Sequence, residues 1–207
     1  MPRPGRWPAV LTAVTLIVGC ATAPSNEEIA AKATAMLKTS FKASGQAGLD
    51  RLNQDETQQI CSELAGKAPA KNVAEKIEKL NLATIKYPAD GKLLGDWKTG
   101  ERIAQEGRGK QFSDDPKAPV GANCYACHQL APQELSYGTI GPSLYQFAKL
   151  RGYGAEIQRY AYGKVFNADA YSACSTMPRF GHNGILTEQQ IKDVTALLMD
   201  PESPVNK

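Results

Sequence analysis

The stretch Cys124-Tyr-Ala-Cys-His128 constrains this chain more than anything else in it. Two thiols three positions apart, with an imidazole directly after them, must share one tight turn and converge on one body. There are 2 histidines in all, and one of them stands here. The order C-x-x-C-H matches the attachment signature of c-type haem: the thiols add to two vinyl groups and the next residue's imidazole reaches the iron. Other readings fit less well. A thioredoxin-like redox pair needs a βαβ pattern beside it, and no alternating strand pattern of convincing length occurs. Half of a zinc site needs a second pair at matching spacing, which Cys61, Cys174 and His182 do not supply.

The N-terminus places this chemistry outside the cytoplasm. Arg3 and Arg6 precede "AVLTAVTLIVG", an apolar run of about eleven residues that is too short to span a bilayer. Residues 1–23 therefore read as an export signal, and the expected location is the periplasm. Two processing routes are open: ordinary cleavage after the small residues "ATA", or lipoprotein processing at "IVGC", which leaves Cys20 as a lipid-bearing N-terminus. Membrane contact is expected only by the second route. The formal charge of +3 falls to about +1 once Arg3 and Arg6 are removed. With no basic stripe interleaved with aromatics, a nucleic-acid partner is excluded.

Five cysteines are present. Cys20 leaves with the signal or takes a lipid, and Cys124 and Cys127 belong to the haem motif. Cys61 and Cys174 remain, and in an exported chain two leftover cysteines predict a disulfide; the alternative is a free Cys174 thiolate that takes part in sulfur chemistry itself.

Helical spacing runs through the rest. Residues 24–94 read as a helical extension with three short amphipathic helices, carried by Ile29, Ala33, Met36 and Leu37, then Ile60 and Leu64, then Val73, Ile77 and Leu80. Residues 95–207 read as a separate all-α haem domain. In it a helix begins at Asp96, "SLYQFAKLRG" and "AEIQRYAYGKVF" each form a short helix, and a last helix opens on the capping box Thr187/Gln190 and stops before Pro201.

An iron held by His128 needs a second axial ligand. Met177, His182 and Met199 are the candidates downstream. Met36 and Met199 lie in apolar helical stripes, where methionine usually fills core gaps. Met177 sits in "CSTMPRFGHNG", a loop rich in Gly and Pro, and Pro178 extends the chain there. Met177 is the expected sixth ligand, with His182 as the alternative. "TIGPSL" follows the motif, and near Pro142 a backbone carbonyl could accept the Nδ1 proton of His128 and fix its tautomer.

The segments "NCYACH", "GTIGPSL", "MPRFGHNGILTEQQIKDV" and "DPESPVN" resemble SoxX, the monohaem subunit of the SoxAX cytochromes of bacterial thiosulfate oxidation. The resemblance covers the C-terminal half and implies a class I cytochrome c domain following an N-terminal helical extension. It implies one haem c, attached through Cys124 and Cys127 and ligated by His128 and Met177. It also implies a SoxA-like haem subunit as partner, and the carrier protein SoxYZ as substrate of an L-cysteine S-thiosulfotransferase reaction carried out by the complex. This chain would supply no catalytic residue; it would pass the released electrons to a soluble cytochrome c. The alternative is a stand-alone electron carrier unconnected with sulfur.

Overall fold

A computed structural model describes residues 23–207, which divide into a unit ending at Ser40 and a unit spanning Phe41–Lys207. The first contains α1 (Asn26–Ser40). Ser25 starts it in a reciprocal arrangement: Glu28 N–H donates to Ser25 Oγ at 3.2 Å, and Ser25 N–H donates to Glu28 Oε2 at 2.9 Å. None of its residues is buried. Met36, assigned above to a core stripe, is 68% exposed, and among the described residues its unit contains no element besides α1.

The second unit contains α2 (Glu56–Glu63), α3 (Lys71–Leu82), α4 (Trp97–Gln105), α5 (Phe147–Arg151), α6 (Ala155–Phe166) and α7 (Glu188–Met199). The described residues form helices and 3₁₀ turns with no strand, only an isolated bridge between Ser44 and Ala47. The architecture is thus all-α. Asp55, Asp96 and Thr187 cap α2, α4 and α7 through their side-chain oxygens, satisfying amide groups that a helix start leaves free.

Helices α4 and α7 form the central crossing. Gly100 of α4 lies so close to α7 that an added Cβ would come within 2.1 Å of the Asp193 carbonyl oxygen. The Asp193 carboxylate, in turn, accepts the Asp96 N–H at 2.9 Å. Two apolar clusters run along this crossing and α6. One contains Ala104, Tyr125, Phe147, Ala161, Leu197 and Met199, with Cys124 against it. The other contains Ile103, Tyr162, Phe166, Phe180, Ile191 and Val194, with Val120, Ala122 and Met177 against it. Met199 is therefore a core residue, 2% exposed.

The helix expected over "SLYQFAKLRG" is shorter than its pattern suggests. Gln146 takes a left-handed conformation, φ 56°, and α5 runs only from Phe147 to Arg151. The cause lies at the C-terminus. Gln146 N–H donates to the Val205 carbonyl at 2.6 Å, while Asn206 Oδ1 accepts the N–H groups of Ala148 and Lys149. A residue of the final turn thus caps α5 from a distance.

Candidate functional site

The haem motif is presented by backbone hydrogen bonding to the end of α4. Ala122 N–H donates to the Ile103 carbonyl, Asn123 N–H to that of Glu106 and Gly121 N–H to that of Arg108, at 2.9, 3.0 and 2.9 Å. The approach is so close that a Cβ on Gly121 would overlap the Glu106 carbonyl. Asn123 then turns left-handed, and Cys124–Ala126 forms a 3₁₀ turn. Both Cys127 N–H and His128 N–H return to the Cys124 carbonyl, at 3.1 and 2.9 Å. One turn therefore carries both thiols and the imidazole, while Tyr125 between them is buried in the core.

His128 is held from its far side. Its Nδ1 lies 2.7 Å from the Pro142 carbonyl oxygen. A carbonyl can only accept, so Nδ1 carries the proton and Nε2 is left with the lone pair that a metal takes. Gly141 lies against the ring itself: a Cβ there would approach His128 Cε1 to 2.1 Å. The segment is fixed by Gly138 N–H to the Tyr125 carbonyl and Gly141 N–H to that of Cys127, at 2.8 and 2.9 Å.

Burial pushes the Cys124 thiol up to about 12, which keeps it neutral. A structural zinc site needs four ligands, and among the described residues no three His, Cys, Asp or Glu side chains group as a metal site. Neither Cys124 nor Cys127 is engaged in a disulfide.

Met177 is half-buried against the second cluster, which also takes up Val120 and Ala122 just upstream of the motif. Gln190 strengthens that connection. Its Nε2 donates to the Val120 carbonyl at 2.8 Å while its Oε1 accepts the Thr187 N–H that opens α7. Cys174, three residues before Met177 in the chain, is joined to Cys61 in a disulfide closing a separation of 113 residues. His182 faces elsewhere: its Nε2 is 3.7 Å from Asp55 Oδ2, and burial lowers its pKa, as does Arg179. Cys20 lies outside the described residues.

Sequence reasoning passed over Arg179. Its side chain is 6% exposed and pairs with Asp55 at 2.7 Å and Asp169 at 3.6 Å. The signal available was an arginine inside an apolar "MPRF" segment, where a charge must find partners. The donor set fits a c-type haem: two thiols and an imidazole with Nε2 free on one turn, and a thioether on a cluster shared with the residues leading into that turn.

The cytochrome c family model matches residues 107–200. An uncharacterized lipoprotein of Aquifex aeolicus (strain VF5) is 41% identical over 164 residues, which is 74% of this chain and 73% of that protein.

Proposed function

This chain carries a class I cytochrome c domain and belongs to one family with the Aquifex lipoprotein, and from that premise we propose that it is the monohaem electron exit of a SoxAX-like complex. The cytochrome c domain makes it an electron carrier with covalently bound haem c. The haem, when bound, supplies reversible one-electron chemistry. A single C-x-x-C-H in the chain supports one haem, on Cys124 and Cys127. His128 binds the iron through Nε2, and the Pro142 carbonyl at 2.7 Å keeps it in the tautomer that can do so; this contact carries the reading. Met177 is the other ligand. Met177 and His128 together on the iron would raise its potential relative to two histidines, which suits an electron acceptor in an oxidising compartment.

The subunit role is supported by the resemblance of "MPRFG" and "SPVN" to SoxX, together with apolar side chains left exposed beyond His128. Leu135 is 101% and Ile140 75% exposed on the loop between the motif and Pro142, area that a permanent partner would cover. On this reading the thiosulfotransferase cysteine belongs to the partner, and this chain's residues hold and orient the redox group. Purification from the native source tests it: a haem-bearing partner should co-elute, and thiosulfate with the carrier protein should reduce this haem. A monomer at micromolar concentration, unreduced by thiosulfate in the presence of the partner fraction, would sink the subunit role.

The second reading is a stand-alone carrier tethered through a lipid at Cys20, and the relative's description as a lipoprotein favours the tether. The intact mass of the exported protein reports the tether, because haem, disulfide and lipid each add or remove a known mass, and co-elution with a haem-bearing partner separates the carrier from the subunit.

A further inference from the structure

We propose that α2 is a brace for the loop carrying Met177, gripping the chain on both sides of the thioether and so positioning the sixth ligand. The proposal rests on Met177 being that ligand. The upstream grip is Cys174, tied to Cys61 in the last turn of α2. Cys174 has φ +57°, a left-handed conformation that is uncommon for a residue with a side chain. The downstream grip is Arg179, whose guanidinium meets Asp55, the N-cap of α2. Asp55 is therefore shared between starting the helix and holding the loop.

The surroundings make both grips firm. Arg179 Nη1 donates to Asn81 Oδ1 at 3.4 Å, and Asn81 Nδ2 donates to Thr57 Oγ1 of α2 at 2.8 Å. Asn167 Nδ2 also donates to Asn81 Oδ1, at 2.9 Å. The Asp169 carboxylate accepts the Ser175 N–H at 2.9 Å. Between the grips lie only Ser175, Thr176, Met177 and Pro178. Proline fixes one dihedral there, and Met177 N–H donates to Ser175 Oγ at 3.2 Å. Little freedom is left to the thioether. A nearly buried guanidinium released from one of its carboxylates is strongly disfavoured, so each grip adds to the cost of opening the loop. Loosening either raises the fraction of molecules with Met177 displaced while the rest of the fold persists.

The test uses the haem-loaded exported protein. Asp55→Asn keeps an oxygen to cap α2 but removes the charge facing Arg179. Cys61→Ser with Cys174→Ser removes the upstream grip. Glu56→Gln is the control, since it breaks the exposed α2 ion pair with Lys76 and touches neither grip. Two readouts follow the ligand directly: the near-infrared sulfur-to-ferric-iron absorption band, and the rate at which the ferrous protein binds carbon monoxide, which requires Met177 to leave. Each grip variant should bind carbon monoxide about tenfold faster or more, and should lose the band on warming well below global unfolding; Glu56→Gln should match the parent. Asp55→Asn carries the test by itself if the serine variant does not accumulate. Grip variants that fold and keep the parent's band and rate, alongside a Met177→Ala protein that has lost the band, overturn the brace and leave the ligand reading intact. A Met177→Ala protein that keeps the band overturns both.

Discussion

Replacing Gly141 by alanine asks how much of this site depends on a single missing methyl group. The new Cβ would stand 2.1 Å from His128 Cε1, 2.5 Å from Nδ1 and 2.7 Å from Nε2. Ordinary contact begins near 3.4 Å, so the ring must retreat by more than an ångström or the segment must lift. Gly141 has little room to move back, because its N–H is bonded to the Cys127 carbonyl at 2.9 Å and the next carbonyl, of Pro142, is the one that holds the ring. An Nδ1···O distance of 2.7 Å stretched by that much is no longer a hydrogen bond. Losing it costs about 1 kcal/mol, and overpacking adds about 1–3 kcal/mol, for about 2–4 kcal/mol together. At roughly 2–4 °C per kcal/mol for a chain of this size, the melting midpoint should fall by about 4–16 °C. A second consequence is electronic. An imidazole that no longer donates from Nδ1 is a poorer electron donor to the iron, so the reduction potential should rise. Calorimetry and a redox titration measure the two effects. Gly154→Ser is the comparison, since nothing lies within 4 Å of a Cβ there and serine is a good helix N-cap. A Gly141→Ala protein with the parent's midpoint and potential would refute the account of how His128 is held.

Three further outcomes are expected. Gly100→Ala should destabilise by about 2 kcal/mol or more in urea unfolding, because the clash with the Asp193 carbonyl outweighs the gain in helix propensity. Asn206→Ala should cost about 3 kcal/mol by the same measurement, since one buried amide serves the amides of Ala148 and Lys149 and the carbonyls of Leu198 and Asp200. Burial and the nearby Arg179 lower the His182 pKa, so the unfolded chain takes up a proton near the ordinary value of about 6.5 that the folded chain resists. Stability should therefore fall as the pH drops from about 7 through that value towards the lowered folded pKa. His182→Asn should make that slope shallower, as urea midpoints across the range will show.

Much of the site was legible because its signals are local. C-x-x-C-H needs one turn, and the structure makes that turn from residues adjacent in sequence. The starts of α4 and α7 were readable from Asp96 and Thr187 because a cap acts within three residues of itself. The Cys61–Cys174 pair was readable for another reason: few cysteines remained once the motif had taken its two. Where local pattern misled, the deciding contact came from far along the chain. The helix expected over "SLYQFAKLRG" is shortened by Val205 and Asn206, and an apolar stripe on α1 does not make Met36 a core residue. "SPVN" itself has a packing role: Ser203 Oγ donates to the Leu197 carbonyl, and Val205 is fully buried.

The amino-acid sequence by itself determined the helical class and the haem-binding turn, and pointed to the pairing of two cysteines and to Pro142 as a candidate partner of His128. Each follows from chemistry that neighbouring residues, or a short count of one residue type, can specify. Tertiary structure alone decided that Gly141 clears the ring of His128, that Gln190 ties the start of α7 to the approach of the haem motif, and that Asp55 meets Arg179. Those contacts join residues tens of positions apart or more, or depend on a space left empty, and neither periodicity nor spacing carries information about them.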